Sequence, residues 1–83
     1  MTIRAKLKVN ILKMLLHADG SPITQEEIID GCQTVYRDTP INEILVALKE
    51  LQMDYLVIGA RDAVTNVLSL GLTTRGTMEA SKL

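Results

Sequence analysis

The chain has 83 residues, 47% of them hydrophobic and 23% charged, with neither Trp nor Phe. That length suits one small domain, residues 1–83, and that balance excludes disorder and demands a core of Leu, Ile, Val and Met. The net charge of −1 lacks the basic excess of most dedicated nucleic-acid binders, and no apolar run approaches a membrane span.

Ile3 to Ala18 reads as a first helix, with Ile3, Leu7, Ile11, Met14, Leu15 and Ala18 on one face at helical spacing. Leu12, Leu16, Val9 and Ala5 carry the apolar surface round to the other side. Lys6, Asn10 and Lys13 form a narrow polar stripe, while Arg4 and Lys8 fall inside the apolar arc. A helix this apolar is covered on more than one side, either by its own domain or by a second subunit. Asp19-Gly20-Ser21-Pro22 ends it with turn chemistry, and Pro22-Ile23 follows as a very short strand or an extended link.

Thr24-Gln25-Glu26-Glu27 is a capping box, which opens a second helix to about Thr34 with Ile28, Ile29 and Cys32 inward. Arg37-Asp38-Thr39-Pro40 starts a third helix, with Thr39 as N-cap and Pro40 at the first helical position. It runs to about Met53 and turns Ile41, Ile44, Leu45, Leu48 and Leu51 to the core. Leu56–Ala60 and Val67–Leu72 read as strands joined by the polar segment Arg61–Asn66. Leu68, Leu70 and Leu72 alternate with Val67, Ser69 and Gly71, so one face of the second strand packs on the helices. Thr73 caps a last short helix to about Lys82, and Gly76 in its first turn permits close backbone packing.

The chemistry of catalysis is missing. His17, the one histidine, sits at a helix end where positive charge suits the dipole. Cys32, the one cysteine, occupies an inward position, so it reads as an inert buried thiol in a reducing, cytoplasmic setting. One His and one Cys make no zinc site. Glu26 and Glu27 are adjacent on a helix, point apart, and are explained by capping. No Gly-rich phosphate loop occurs, and the basic N-terminus is not followed by a small-residue cleavage site. The reading is a protein that is not an enzyme, with no cofactor and no metal.

The order helix, short strand, helix, helix, hairpin, helix resembles the winged helix-turn-helix superfamily over nearly the whole chain. Leu48, Leu51, Leu56 and Val57 fit its pattern at the end of the third helix. Leu72, Thr73 and Gly76 fit the Leu-Thr-x-x-Gly segment of MarR-like and PadR-like regulators. Tyr55 departs from the pattern, standing where such families have Gly. Because that position often needs a left-handed backbone, a wider turn is expected here. The resemblance implies an α+β, mostly α fold: a three-helix core, a two-stranded β-hairpin wing and a short C-terminal helix.

The resemblance also implies that the third helix enters the DNA major groove while the hairpin tip touches the backbone or minor groove. At 100° per residue, placing Ile44 inward turns Asn42, Val46, Lys49, Glu50 and Met53 outward, with Glu43 flanking. Asn42 suits adenine, and Lys49 suits guanine or phosphate. Arg37 and Thr39 before the helix and Arg61 at the hairpin tip are placed for phosphate or the minor groove, although Arg61 can instead pair with Asp62. Glu43 and Glu50 facing the same way repel phosphates, and Val46 with Met53 makes an exposed apolar pair. Arg4, Lys6, Lys8 and Lys13 form the densest basic cluster, a solvated stripe or a surface for an acidic partner.

Two functions follow. One is a small DNA-binding transcriptional regulator acting as a homodimer through the apolar arc of the first helix and the last helix. The alternative is a protein-interaction module, or a subunit of a larger complex, that uses Val46 and Met53 and binds no DNA.

Overall fold

Thr2 begins the first helix by accepting a hydrogen bond from the Ala5 amide, and α1 runs Ile3–His17 in the computed structural model, which describes residues Met1–Leu83. A left-handed pair, Asp19 and Gly20, then turns the chain into β1, Ile23–Thr24. The expected capping box is complete: Thr24 accepts from the Glu27 amide, and the Glu27 carboxylate accepts from the Thr24 amide. It opens α2, Gln25–Val35. After the segment Tyr36–Pro40 comes α3, Ile41–Met53.

The start of α3 differs from expectation by one residue. Pro40, not Thr39, is the N-cap, and it gives no side-chain cap bond. Its carbonyl accepts from the amides of Glu43 and Ile44 instead. Thr39 is drawn inward, because its carbonyl accepts from Gln33 Nε2 on α2. Ile41, in the first turn, is exposed rather than core-facing, and Ala47 joins Ile44, Leu48 and Leu51 on the buried face.

Tyr55 does not widen the turn out of α3. It adopts the left-handed backbone itself, at φ +59°. Its amide donates to Gln52 O at 3.1 Å and the Leu56 amide donates to Leu51 O at 3.0 Å. Those are the two bonds of a Schellman motif, formed here without glycine.

β2, Val57–Arg61, pairs antiparallel with β3, Leu68–Leu72, through Val57↔Leu72 and Gly59↔Leu70 to Arg61↔Leu68. β1 adds to the other side of β3, Ile23 opposite Leu70, so the sheet has three strands in the order β1-β3-β2. Leu70 is its fully buried residue. Thr73 caps α4, Thr74–Ser81, by accepting from the Gly76 amide at 2.9 Å. Its own hydroxyl reaches the carbonyls of Tyr55 and Leu56, which ties α4 to the root of the hairpin.

The core is aliphatic, as the composition requires. Leu7, Ile11, Leu12 and Leu15 of α1 meet Ile28, Cys32, Ile44, Leu48, Leu51, Val57, Leu70 and Ala80. Each fully buried Leu or Ile contributes about 1.5–3 kcal/mol relative to exposure. α1 packs on α2, α3, α4 and β3 of its own protomer. Much of its apolar arc is therefore covered within the chain, with Ala5, Val9, Met14 and Leu16 half-buried; of its predicted core face, Ile3 alone of the large apolar residues is left exposed.

Candidate nucleic-acid interface

The exposed side of α3 follows from its packing. With Ile44, Ala47, Leu48 and Leu51 held inward, Asn42, Val46, Lys49 and Met53 share the opposite side as one exposed stripe. Lys49 is the only charged residue in it. Val46 is 39% exposed and Met53 67%.

Glu43 and Glu50 are not on that stripe. They occupy the flank of α3 turned toward α1, where both are bound. Arg4 donates from Nε and Nη2 to Glu43 Oε2, at 3.2 and 2.9 Å, and from Nη1 to Glu50 Oε2 at 2.9 Å. Lys8 Nζ lies 2.7 Å from Glu50 Oε1. Two cations thus meet two carboxylates. The Lys8 hydrogen bond, with Arg4 behind it, holds the Glu50 carboxyl below its ordinary range. The Glu43 hydrogen bond is the main cause raising Arg4. The expected repulsion of phosphate by free Glu43 and Glu50 therefore does not describe this surface. The basic cluster on α1 is likewise divided: Lys6 and Lys13 remain exposed without ion pairs, whereas Arg4 and Lys8 pair with the carboxylates of α3. One sequence signal pointed there, two cations one turn apart inside an apolar arc.

Arg37 is exposed in the segment before α3 and makes no ion pair or side-chain hydrogen bond. Thr39, 8% exposed, offers almost no surface to a phosphate. Arg61 is the last residue of β2, at the base of the hairpin loop rather than its tip. Its Nη1 donates to Asn66 O at 2.9 Å across the loop, not to Asp62. Asp62 instead accepts from the amides of Val64 and Thr65, at 2.7 and 3.0 Å. Those backbone bonds hold its carboxyl below the ordinary range, Thr65 being the larger cause. Val64 stands at the tip, 93% exposed. Arg61 and Asn66 also line a groove of about 360 Å³ shared with Thr24, Gln25 and Glu26 at the start of α2. The hairpin base and the helix-turn-helix unit therefore share one groove.

His17 is exposed, and Cys32 is buried with Asn10 Nδ2 3.5 Å from its sulfur. Burial pushes the Cys32 thiol up, the Asn10 contact opposing it. The two are not neighbours of the α3 stripe in the sequence, and no group of three or more His, Cys, Asp or Glu side chains is placed to hold a metal. No helix is long and apolar enough to cross a membrane.

Comparison with known proteins identifies the architecture. No family model and no curated protein sequence matches the chain. Solved structures do. Staphylococcus aureus MepR in a DNA-binding conformation superimposes with a TM-score of 0.79 at 20% identity, covering 93% of this chain and 53% of that one. MepR described as a transcription regulator of the multidrug efflux pump MepA gives 0.76 at 21% identity, covering 92% and 52%. Lactococcus lactis ZitR in an apo form gives 0.73 at 20% identity, covering 96% and 55%. The chain therefore spans about half the length of the structures it matches. Its fold is a winged helix-turn-helix: α2 and α3 form the helix-turn-helix, and β2 and β3 the wing.

Proposed function

We propose that this protein is a winged-helix DNA-binding protein that acts in transcription regulation, with α3 as the helix that enters the major groove. The observation that carries the reading is the solvent face of α3. Asn42 and Lys49 stand exposed on it, and its two acidic neighbours are neutralised by α1. Asn42 suits bidentate pairing with adenine, Lys49 suits guanine or a phosphate, and Val46 suits a thymine methyl. Arg37, before the helix, is free to meet the phosphate backbone. Arg61 is presented at the wing base, where Nη1 donates to Asn66 O and the other N–H donors of the guanidinium are left for DNA. Thr39 drops out of the set by burial. The likeness to MepR in a DNA-binding conformation supports the reading.

A weak contact set of this size gains from doubling, so the reading includes a cytoplasmic homodimer. Its surface would draw on the apolar residues that α1 and α4 leave exposed, such as Ile3 and Met78.

A second reading rests on one observation. Val46 and Met53, seven residues apart on one side of α3, make an exposed apolar pair, which also suits a protein partner. Fluorescence anisotropy with a random duplex at low and moderate salt decides between them. Salt-sensitive binding, weakened by Lys49→Ala and by Arg37→Ala, is the expected result. No binding at low salt overturns the DNA reading in favour of the protein partner. Light scattering on the same samples tests the dimer.

A further inference from the structure

We infer that Arg4 and Lys8 are positioning residues for DNA binding, acting on duplex affinity through Glu43 and Glu50 rather than by touching DNA; the inference rests on the DNA-binding reading. Glu43 and Glu50 are seven residues apart, two turns, and share one flank about 80° from the centre of the exposed stripe. Released, two carboxylates on long, flexible side chains at that flank can swing toward the groove, within a Debye length of the phosphates.

The clasp prevents this in two ways. Arg4 spans both carboxylates with its guanidinium, so a single planar group fixes the two acids across two helical turns. Lys8 occupies the remaining oxygen of Glu50. The four charges cancel, and the carboxylates are held on the α1 side. All four side chains are only 28–39% exposed, so the network is partly sheltered from solvent and less screened than a free surface pair. Because α1 is buried against the core through Leu7 and Ile11, the cations ride on a rigid element. The cost of losing them is therefore more than two lost positive charges. It also exposes two negative ones beside the reading face.

Lys6 and Lys13 supply the charge-matched control. They lie on the same helix, are exposed, and pair with nothing. The experiment is duplex affinity by anisotropy across a salt series for the wild-type chain, R4Q/K8Q, K6Q/K13Q, E43Q/E50Q and the fourfold variant R4Q/K8Q/E43Q/E50Q, with thermal melts of each. Expected is a loss on the order of tenfold for R4Q/K8Q and a much smaller one for K6Q/K13Q. The fourfold variant should return close to wild type, and the slope of log affinity against log salt should keep its wild-type value throughout. Equal losses in the two lysine/arginine doubles would reduce the effect to net charge and overturn the inference. So would R4Q/K8Q binding as wild type does. If R4Q/K8Q fails to fold, the comparison of the fourfold variant with E43Q/E50Q replaces it: equal affinity supports the inference. A further loss there, with a slope shallower by about 0.9 per cation removed, marks direct phosphate contact and overturns it. Failure of the wild-type chain to bind any duplex is a different result, and refutes the DNA-binding reading itself.

Discussion

Gly76→Ala is the sharpest test of how the wing is attached. A Cβ at position 76 falls 1.9 Å from the Leu56 carbonyl oxygen and 2.8 Å from its carbon. The obstacle is backbone, and it is pinned: Leu56 O accepts from the Thr73 amide at 3.1 Å and from the Thr73 hydroxyl at 3.2 Å. To restore ordinary contact, α4 must slide or those bonds must stretch. Overpacking of this kind costs about 1–3 kcal/mol, and each weakened bond adds about 1 kcal/mol. The intrinsic preference of a helix for Ala over Gly returns at most about 1 kcal/mol. The expected net loss is about 2–4 kcal/mol, equivalent to a fall in Tm of about 10–30 °C for a domain of this size. Urea denaturation followed by circular dichroism reads it directly, with Gly71→Ala as control because a Cβ there meets nothing within 4 Å. Because Leu56 joins the end of α3 to β2, duplex affinity should fall with stability. A Gly76→Ala protein as stable as wild type would refute the argument, since helix propensity would then outweigh the clash.

Tyr55→Gly should stabilise the protein by about 0.5–1 kcal/mol, because the left-handed backbone is retained without its Cβ penalty and the side chain given up is 74% exposed; a lower urea midpoint would show that the ring packs usefully. The Glu50 carboxyl is held below its ordinary range, so its contribution is present above the unfolded-state pKa and is lost as pH falls through the folded value. An NMR pH titration of the Glu50 side chain should show that depression and an upward move in Lys8→Gln; an unchanged midpoint would mean the Lys8 contact is not kept in solution. Cys32 is fully buried with its thiol pushed up, and should react with a thiol reagent only as fast as the protein opens; rapid labelling of the native state would contradict this burial. The paired change Val46→Asp with Met53→Asp should leave the melting curve within a few degrees of wild type, since both residues are exposed; cooperative unfolding would show that the α3 stripe is misassigned.

What the sequence determined by itself is what short-range chemistry determines. The capping box at Thr24 and Glu27, the Thr73 cap with Gly76 behind it, and the inward periodicity of Leu7, Ile11, Leu48 and Leu51 each depend on residues three or four apart. Such patterns are legible because their partners are neighbours in the chain. Together with the strand alternation around Leu70 they were enough to place the helices and the wing. The exposed stripe of Asn42, Val46, Lys49 and Met53 is legible for the same reason, although the same count also turns Glu50 outward.

The electrostatics of that face were decided only by tertiary structure. Arg4 is 39 residues from Glu43 and 46 from Glu50, and nothing local tells a cation on one helix which flank of another it will cross. Counted along the chain, Glu43 and Glu50 are repulsive; once α1 lies across α3, they are neutralised. Thr39 shows the same lesson at smaller scale. Its cap chemistry was sound locally, yet Gln33 of α2 takes its carbonyl, it is buried, and Pro40 becomes the boundary. Tyr55 is the converse case. Its local preference opposed the left-handed turn, but the Schellman bonds and the fixed positions of α3 and β2 outweigh a backbone penalty of about 1–2 kcal/mol.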